Sequence, residues 1–350
     1  MKQKVTIKDV ASRAGVSLST VSFVLNNSAG QTIPEKTRTK IYEAVKELGY
    51  SPNYMARHMR MKQVRSIGIV TAYNVKYIYF LDMLDGIMAA ADKNDFAITI
   101  CNDSSRNIET PNFLKYYQEK RIDGVIFISS AHSEDSSNEK DYIKLLKDHA
   151  IPYVVIYGYT SDRDTSYVNM DFFQNSYDAC KHLYDRGCTN LMYIAPTEKN
   201  STERYLPRTE RDRINGYIES LSLVNKKENE KNVTFLPRDF RASADYDKIF
   251  DLFGKSRNFD GVVACWATYG MQVLNIARDL NITIPKDLRV IALDSLPYLQ
   301  HTYPALSSMR LPFFEIALKG TELLISKLLN NDMEVVKLNI SCELNMRSTS

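Results

Sequence analysis

A closely spaced set of hydrogen-bonding side chains lies near the N-terminus of this 350-residue sequence, at Ser17, Ser19, Thr20, Ser22 and Asn26. Hydroxyl and amide groups of this kind can bind phosphate oxygens and the edges of nucleic-acid bases. No catalytic signature accompanies them, because the sequence lacks GxSxG, GxxxxGK and HExxH motifs. The five cysteines form no CxxC pair and the five histidines are scattered, which predicts free thiols and no metal or cofactor site. These residues indicate recognition rather than catalysis.

The charge of the chain is concentrated in its first part. Residues 1–62 contain eleven Lys or Arg against four Asp or Glu, a net charge of +7, whereas the whole chain carries +3 and the remainder therefore −4. A basic segment on a mildly acidic body suggests a polyanionic partner for that segment, although a solvated basic face would give the same charge. No apolar run reaches membrane-spanning length, and the N-terminal residues have neither the apolar region nor the small-residue cleavage site of a signal peptide, so we expect a cytoplasmic protein with no membrane partner.

The elements that must position these side chains are short helices. Thr6 can cap a first helix, Gly15 permits a tight turn, and Ser17 can cap a second helix with its apolar residues on one face. A third helix is predicted from Pro34 to Gly49. Two short helices joined by a glycine turn form a helix-turn-helix, so residues 1–50 are predicted to be a small all-α DNA-binding head.

The second helix of such a motif enters the major groove with its N-terminal residues toward the bases. Leu18 and Ser19 therefore are the predicted base contacts, and Leu18 and Phe23 can pack on thymine methyl groups or sugars. Surface residues without a role are the alternative interpretation. The predicted DNA-binding residues of the head are Thr6, Ser17, Leu18, Ser19, Thr20, Ser22, Phe23 and Asn26.

Beyond residue 65 the pattern changes to short apolar runs that alternate with amphipathic segments, as in Ile67–Val70 followed by Leu81–Lys93. Alternation of this kind predicts parallel sheets covered by helices on both faces. Residues 65–350 are long enough for two α/β subdomains, with the chain crossing between them near 165 and 300. Ligands of such folds bind beyond the carboxyl ends of the strands, often between domains.

Two segments, Thr6–Asn27 and Tyr50–Arg57, resemble the head of the LacI/GalR family of bacterial transcription regulators. The body resembles the same family at Arg213–Tyr217 (R-x-x-G-Y), Val290–Asp294 and Pro304–Ser308. The resemblance implies a periplasmic-binding-protein-like body. It implies a transcription regulator, expected to be a repressor, that acts at the nucleoid. It also implies a homodimer on a pseudo-palindromic operator, controlled by a small-molecule effector such as a sugar or sugar derivative.

The resemblance further implies that residues 51–64 are a hinge helix and linker that enter the minor groove. Met59 stands where the family has a leucine wedge, and methionine can act as an apolar wedge too. Ala56 permits close approach, and Arg57 and Arg60 suit phosphates or a narrow groove. Asn53 completes the predicted contacts, and a flexible basic linker is the alternative.

The same motifs nominate an effector site. Arg213 can donate a pair of hydrogen bonds to hydroxyls or a carboxylate, Asp294 can accept from vicinal hydroxyls, and Phe240 matches a position that stacks on a sugar ring. A structural ion pair between Arg213 and Asp294, or a core position for Phe240, are the alternatives. Further predicted contacts, which core roles would equally explain, are Tyr79, Phe80, Ser129, Tyr157 and Trp266.

One departure from the family concerns Cys265 and Trp266, which replace a pair of hydrogen-bonding residues that touches the effector. This argues against an ordinary monosaccharide and leaves a non-sugar ligand open. Control by a phosphorylated carrier protein is a further alternative, although Tyr303 stands where such relatives carry an arginine. A secreted solute-binding protein and an enzyme on the same scaffold are the rival classes, and the basic head and the missing catalytic motifs argue against them.

Overall fold

The structure is a computed structural model that describes residues 5–25, 33–50, 64–71, 79–101, 111–129, 137–158, 162–197, 206–237, 243–254, 257–332 and 334–350. The chain divides into two compact units, Met1–Val64 and Arg65–Ser350. Among the described residues, no helix is long and apolar enough to cross a membrane.

The first unit contains three helices, α1 (Ile7–Ala14), α2 (Leu18–Leu25) and α3 (Glu35–Leu48). The carboxylate of Asp9 accepts from the backbone N–H and the hydroxyl of Thr6, both at 2.7 Å, and so closes the start of α1. Gly15 and Gly49 end α1 and α3 in the left-handed conformation, which glycine adopts without steric cost. The small core that joins the helices consists of Val10, Ala11, Val21, Val24, Ile41 and Ala44.

The second unit alternates strands and helices. Its strands are β1 (Ser66–Thr71), β2 (Ala97–Ile100), β3 (Gly124–Ile128), β4 (Tyr153–Ile156), β5 (Tyr167–Met170), β6 (Leu191–Thr197), β7 (Val233–Pro237), β8 (Gly261–Ala264), β9 (Arg289–Ala292), β10 (Ser307–Arg310), β11 (Lys337–Ile340) and β12 (Glu343–Asn345). Its helices are α4 (Phe80–Lys93), α5 (Asn112–Gln118), α6 (Ser137–Asp148), α7 (Phe172–Asp185), α8 (Arg208–Ser220), α9 (Ser243–Gly254), α10 (Ala267–Asp279) and α11 (Phe313–Asn330).

The strands form two six-stranded sheets, ordered β11-β5-β4-β3-β1-β2 and β12-β10-β9-β8-β6-β7. Neighbouring strands pair in parallel, as β3 does with both β1 and β4, whereas β10 and β12 pair antiparallel. The chain passes between the sheets after β5, after β10 and again after β11. The predicted fold class, a small helical head and two parallel-sheet α/β subdomains, is confirmed.

Glycines let two pairs of helices approach closely. A Cβ atom on Gly86 of α4 would overlap the carbonyl oxygen of Phe314 of α11. In the same way, a Cβ atom on Gly216 of α8 would overlap the carbonyl oxygen of Phe173 of α7. Each subdomain therefore holds its principal helix pair together at a position where only glycine fits.

Candidate DNA-binding and effector-binding sites

The predicted reading surface of the head lies at the start of α2. Leu18 and Ser19 are exposed there, and 40% of the Leu18 surface is accessible. The hydroxyl of Ser17 accepts from the backbone N–H of Thr20 at 3.1 Å and lies 2.8 Å from the hydroxyl of Ser19. This network caps α2 and fixes the directions of the hydroxyls next to the exposed leucine.

The remaining head predictions divide into two groups. Thr20, Ser22 and Phe23 are half-buried on α2, and Thr6 is exposed with its hydroxyl bound to Asp9. The predicted contacts that lie outside the described residues are Asn26, Asn53, Ala56, Arg57, Met59 and Arg60. All of these DNA contacts stay predictions.

In the body, Asp294 lies two residues beyond the end of β9, at the carboxyl edge of the second sheet. One of its carboxylate oxygens accepts from the hydroxyl of Tyr79 at 3.0 Å. The other accepts from the backbone N–H of Ala267, the first residue of α10. Burial raises the pKa of Asp294, and Arg213 and these two hydrogen bonds offset part of that rise. Asp294 therefore accepts one hydrogen bond from a residue of each subdomain, at the boundary between the two sheets.

Arg213 projects from α8 and is 4% exposed. One Nη donates to Sγ of Cys265 at 3.5 Å, and the guanidinium lies over the ring of Phe172, 4.8 Å from its centroid. Burial raises the pKa of the Cys265 thiol to about 11, so the group that replaces the expected hydrogen-bonding residue is neutral at pH 7. Nε of Arg213 is buried without a partner in the described part of the chain. A ligand oxygen could satisfy this donor.

Aromatic rings connect the two charged residues. The ring of Tyr79 stacks on Phe313 with the centroids 4.4 Å apart, and Phe313 meets Tyr157 edge-on at 5.0 Å. Tyr157 then lies 6.4 Å from Phe172, the ring beneath Arg213. Tyr79, Tyr157, Arg213 and Asp294 thus belong to one contiguous group between the sheets.

Sequence reasoning missed Phe172 and Phe313. Each is the first residue of a helix that follows a crossing of the chain between the sheets, α7 after β5 and α11 after β10. That position is itself a signal, because a residue at such a crossing lies between the subdomains.

The structure describes three of the other nominated residues, Phe80, Ser129 and Trp266. Phe80 is 4% exposed and belongs to the main hydrophobic core, the same buried cluster that contains Tyr79, Tyr157, Phe172 and Phe313, and the buried Ser129 follows Ile128 of this core. Trp266 is half-buried and stacks on Tyr269, with ring centroids 5.2 Å apart and planes 5° apart. Phe240 lies outside the described residues. Arg213 and Asp294 form no ion pair within 4 Å in the described part of the chain, although the charge of Arg213 lowers the pKa of Asp294. Both the ligand role and the structural role of this pair stay predictions.

Known families match nearly the whole chain. Residues 6–53 match the family described as bacterial regulatory proteins, lacI family. Residues 64–225 match the periplasmic binding proteins and sugar binding domain of the LacI family, and residues 180–350 match a periplasmic binding protein-like domain. The chain belongs to the LacI family. The resemblance stated from the sequence is confirmed.

Relatives of this LacI-family protein are transcriptional regulators and not enzymes. The HTH-type transcriptional regulator RegA of Clostridium saccharobutylicum is 27% identical over 330 residues, which cover 93% of this chain and 92% of the relative. A structure of the lac repressor dimer bound to operator and the anti-inducer ONPF has a TM-score of 0.72 at 17% identity, covering 99% of both chains. A CelR–cellobiose complex has a TM-score of 0.66 at 22% identity, covering 99% of this chain and 100% of that one. The structural likenesses establish the fold, and the sequence matches establish a DNA-binding transcriptional regulator of the LacI type.

Proposed function

We propose that this regulator binds a pseudo-palindromic operator as a homodimer and that a small molecule, a sugar or sugar derivative, controls the binding from the groove between the two sheets. The observation that carries the effector site is the contiguous group of Tyr79, Tyr157, Arg213 and Asp294. Its charged residues come from the second subdomain and its tyrosines from the first. The lac repressor dimer on operator and the CelR–cellobiose complex support the proposal by analogy.

A ligand in this groove contacts both subdomains, so its affinity depends on the angle between them. It shifts the protein toward one arrangement only by the difference between its affinities for the two arrangements. An effector hydroxyl that binds Asp294 competes with the hydroxyl of Tyr79, which already occupies one carboxylate oxygen. Effector binding therefore replaces the internal hydrogen bond between Tyr79 and Asp294 with one between the ligand and Asp294.

The DNA-binding claim is tested by mixing the purified protein with fragmented genomic DNA of its source and sequencing the retained fragments. We expect a small set that shares a pseudo-palindrome, with affinity that falls steeply as salt rises because several phosphates are contacted. Ser19→Ala should weaken binding to that site by about tenfold, in line with the loss of one base contact. Ser12→Ala, an exposed serine on α1, is the matched control and should have no effect. Uniform retention of all fragments would contradict sequence-specific binding.

The effector claim is tested by titrating mono- and disaccharides while recording tryptophan fluorescence. Trp266 is the only tryptophan and lies next to Ala267, whose N–H binds Asp294, so a ligand at Asp294 should change its emission. Operator affinity measured with and without the responding sugar then gives the sign of regulation. A responding sugar whose binding survives both Arg213→Met and Asp294→Ala would place the effector elsewhere.

A further inference from the structure

A cavity of about 420 Å³ lies next to the candidate effector site, because its lining includes Tyr79, which binds Asp294, and Ser295, which follows Asp294 in the chain. Its volume falls within the range of small-molecule sites in proteins, which begins at roughly 300 Å³. The cavity is lined by Tyr79, Leu81, Asp82, Ser295, Leu296, Pro297, Arg310, Leu311, Phe313, Asn345 and Arg347.

The lining comes from both subdomains. Leu81 and Asp82 belong to the first turn of α4, which packs on the first sheet, whereas Asn345 ends β12 of the second sheet. Arg310 and Leu311 lie where the chain crosses from β10 to α11. A molecule held here would therefore contact the two subdomains and one of their connections at once, so its affinity must depend on the subdomain angle.

The cavity is also coupled to the effector groove through single residues. Tyr79 contributes its ring to the cavity and its hydroxyl to Asp294. Ser295, directly after Asp294, lines the cavity as well. Anything that displaces Tyr79 or the 295–297 segment changes the hydrogen bonding of Asp294.

The two arginines of the lining differ in their partners. Arg310 is shared by two carboxylates, Glu343 at 3.0 Å and Glu315 at 2.9 Å. Arg347 has one Nη bound to the carbonyl of Leu306 at 2.7 Å and the hydroxyl of Ser308 at 2.9 Å, and it forms no ion pair with a carboxylate in the described part of the chain. Burial lowers the pKa of Arg347, and no acidic neighbour opposes this effect. This half-buried cation therefore lacks a counter-ion.

Asp82 adds an acidic group to the lining of the cavity. Its carboxylate has no hydrogen bond or ion pair among the described residues. Burial, followed by the charges of Asp85 and Glu315, raises its pKa. A hydroxyl or ammonium donor from a ligand would stabilise the charged carboxylate. Leu296, Leu311 and the ring of Phe313 add apolar surface to the same lining.

We propose that this cavity is a second ligand site, separate from the effector groove, for a small organic anion that also carries a hydrogen-bond donor. The carboxylate or phosphate of the ligand binds Arg347, its hydroxyl or ammonium group binds Asp82, and its apolar part packs on the leucines. Through Tyr79, occupancy of this site alters how readily Asp294 accepts an effector.

The test is isothermal titration calorimetry on the full chain with three probes: mandelate, glycerol 2-phosphate and neutral 1-phenylethane-1,2-diol. Mandelate and the diol differ only in the carboxylate, so we expect binding of mandelate and at least tenfold weaker binding of the diol. Binding of mandelate alone assigns the site to carboxylates, and binding of glycerol 2-phosphate alone assigns it to phosphates. Because no DNA is present, failure here leaves the proposed operator binding untouched.

Arg347→Met should weaken binding of the anionic probe by about tenfold or more, as expected for loss of a charge-assisted hydrogen bond. Leu81→Trp provides a second variant, because Leu81 is 67% exposed at the cavity and an indole there blocks it without removing any charge. Arg278→Gln is the matched control, since it removes an exposed arginine that pairs with Asp279 and does not line the cavity. The proposal is overturned if neither anion binds the wild type at about 10 mM, or if both variants bind as the wild type does.

Discussion

The two subdomains share one architecture and differ in the chemistry at their facing edges. Each contains a six-stranded sheet whose central strands run parallel. The first subdomain contributes tyrosines and Phe313 to the groove, whereas the second contributes Asp294, Cys265 and Arg213 of α8. The repeated backbone therefore fixes where side chains meet, and the residue types make the two edges differ. The charged residues lie in the second subdomain, with the ring of Phe172 beneath Arg213, whereas the first subdomain offers rings and the hydroxyl of Tyr79. A ligand held between them would meet its charged partners on one side and mainly apolar surface on the other.

The largest expected effect, and the strongest test of the shared architecture, comes from substituting the glycine in each helix pair. Gly216→Ala and Gly86→Ala each place a methyl group against a backbone carbonyl of the partner helix, which must move to admit it. We expect each substitution to lower the free energy of unfolding by about 3 kcal/mol. Urea denaturation followed by Trp266 fluorescence and by circular dichroism measures this loss.

Gly254→Ala is the control for that pair, because nothing lies within 4 Å of the added Cβ at Gly254. We expect it to be within about 0.5 kcal/mol of the wild type. If Gly86→Ala were neutral while Gly216→Ala was not, the two helix pairs would not be equivalent and the comparison would fail.

The sequence predicted the repeated architecture but not the details of the groove. Apolar runs such as Gly124–Ile128 mark buried parallel strands because both faces are covered, and all five of these residues are buried. The family pattern nominated Arg213 and Asp294, and their role as effector contacts stays a prediction. Phe172 and Phe313 were not found, since a phenylalanine at the start of a helix looks the same in sequence whether it packs in a core or between subdomains.

The bond between Tyr79 and Asp294 was equally beyond sequence reasoning. The two residues are 215 positions apart, and only the relative placement of the sheets brings the hydroxyl within 3.0 Å of the carboxylate. Cys265 shows the reverse case. Its departure from the family pattern was visible in the sequence, but its contact with Arg213 depends on how α8 lies against β8.

Asp294→Ala is expected to have the next largest effect, because Ala267 N–H and the Tyr79 hydroxyl both lose their acceptor. We expect a loss of about 2 kcal/mol in unfolding free energy, retained operator binding, and no response to the effector. Asp185→Ala removes an exposed carboxylate paired with Lys181 and should cost less than about 0.5 kcal/mol. A variant that still responds to the effector would remove Asp294 from the site.

Tyr79→Phe isolates the contribution of the first subdomain to that carboxylate. The ring and its stacking on Phe313 are kept, and only the hydroxyl bound to Asp294 is lost. We expect a cost of about 1 kcal/mol together with tighter effector binding, because one oxygen of Asp294 no longer has an internal partner. Tyr303→Phe, at a fully exposed tyrosine, is the control and should change neither quantity. Weaker effector binding by Tyr79→Phe would show that the hydroxyl serves the ligand rather than competing with it.

The smallest expected effect is the dependence of the unfolding free energy on pH that results from Asp294 in the second subdomain. Burial raises the pKa of Asp294, so between the ordinary value of about 3.9 and the raised value the folded protein holds a proton that the unfolded chain has lost. The contribution of this group to stability therefore falls as pH rises through that window. Since Asp294→Asn does not titrate, the wild type should lose stability relative to this variant from pH 4 upward, about 4 being where the unfolded carboxyl ionises.

Asp287, in the same subdomain, is the matched comparison because its pKa is shifted in the opposite direction. The backbone N–H of Thr283 donates to it at 3.0 Å, and this hydrogen bond lowers its pKa. Its contribution is present above the unfolded value and is lost as pH falls, so the wild type should gain stability relative to Asp287→Asn as pH rises. Urea titrations of the three proteins across the acidic range give both differences. Two slopes of the same sign would mean that Asp294 is as well stabilised in its charged form as Asp287, and that the groove carries a permanent negative charge for the effector to meet.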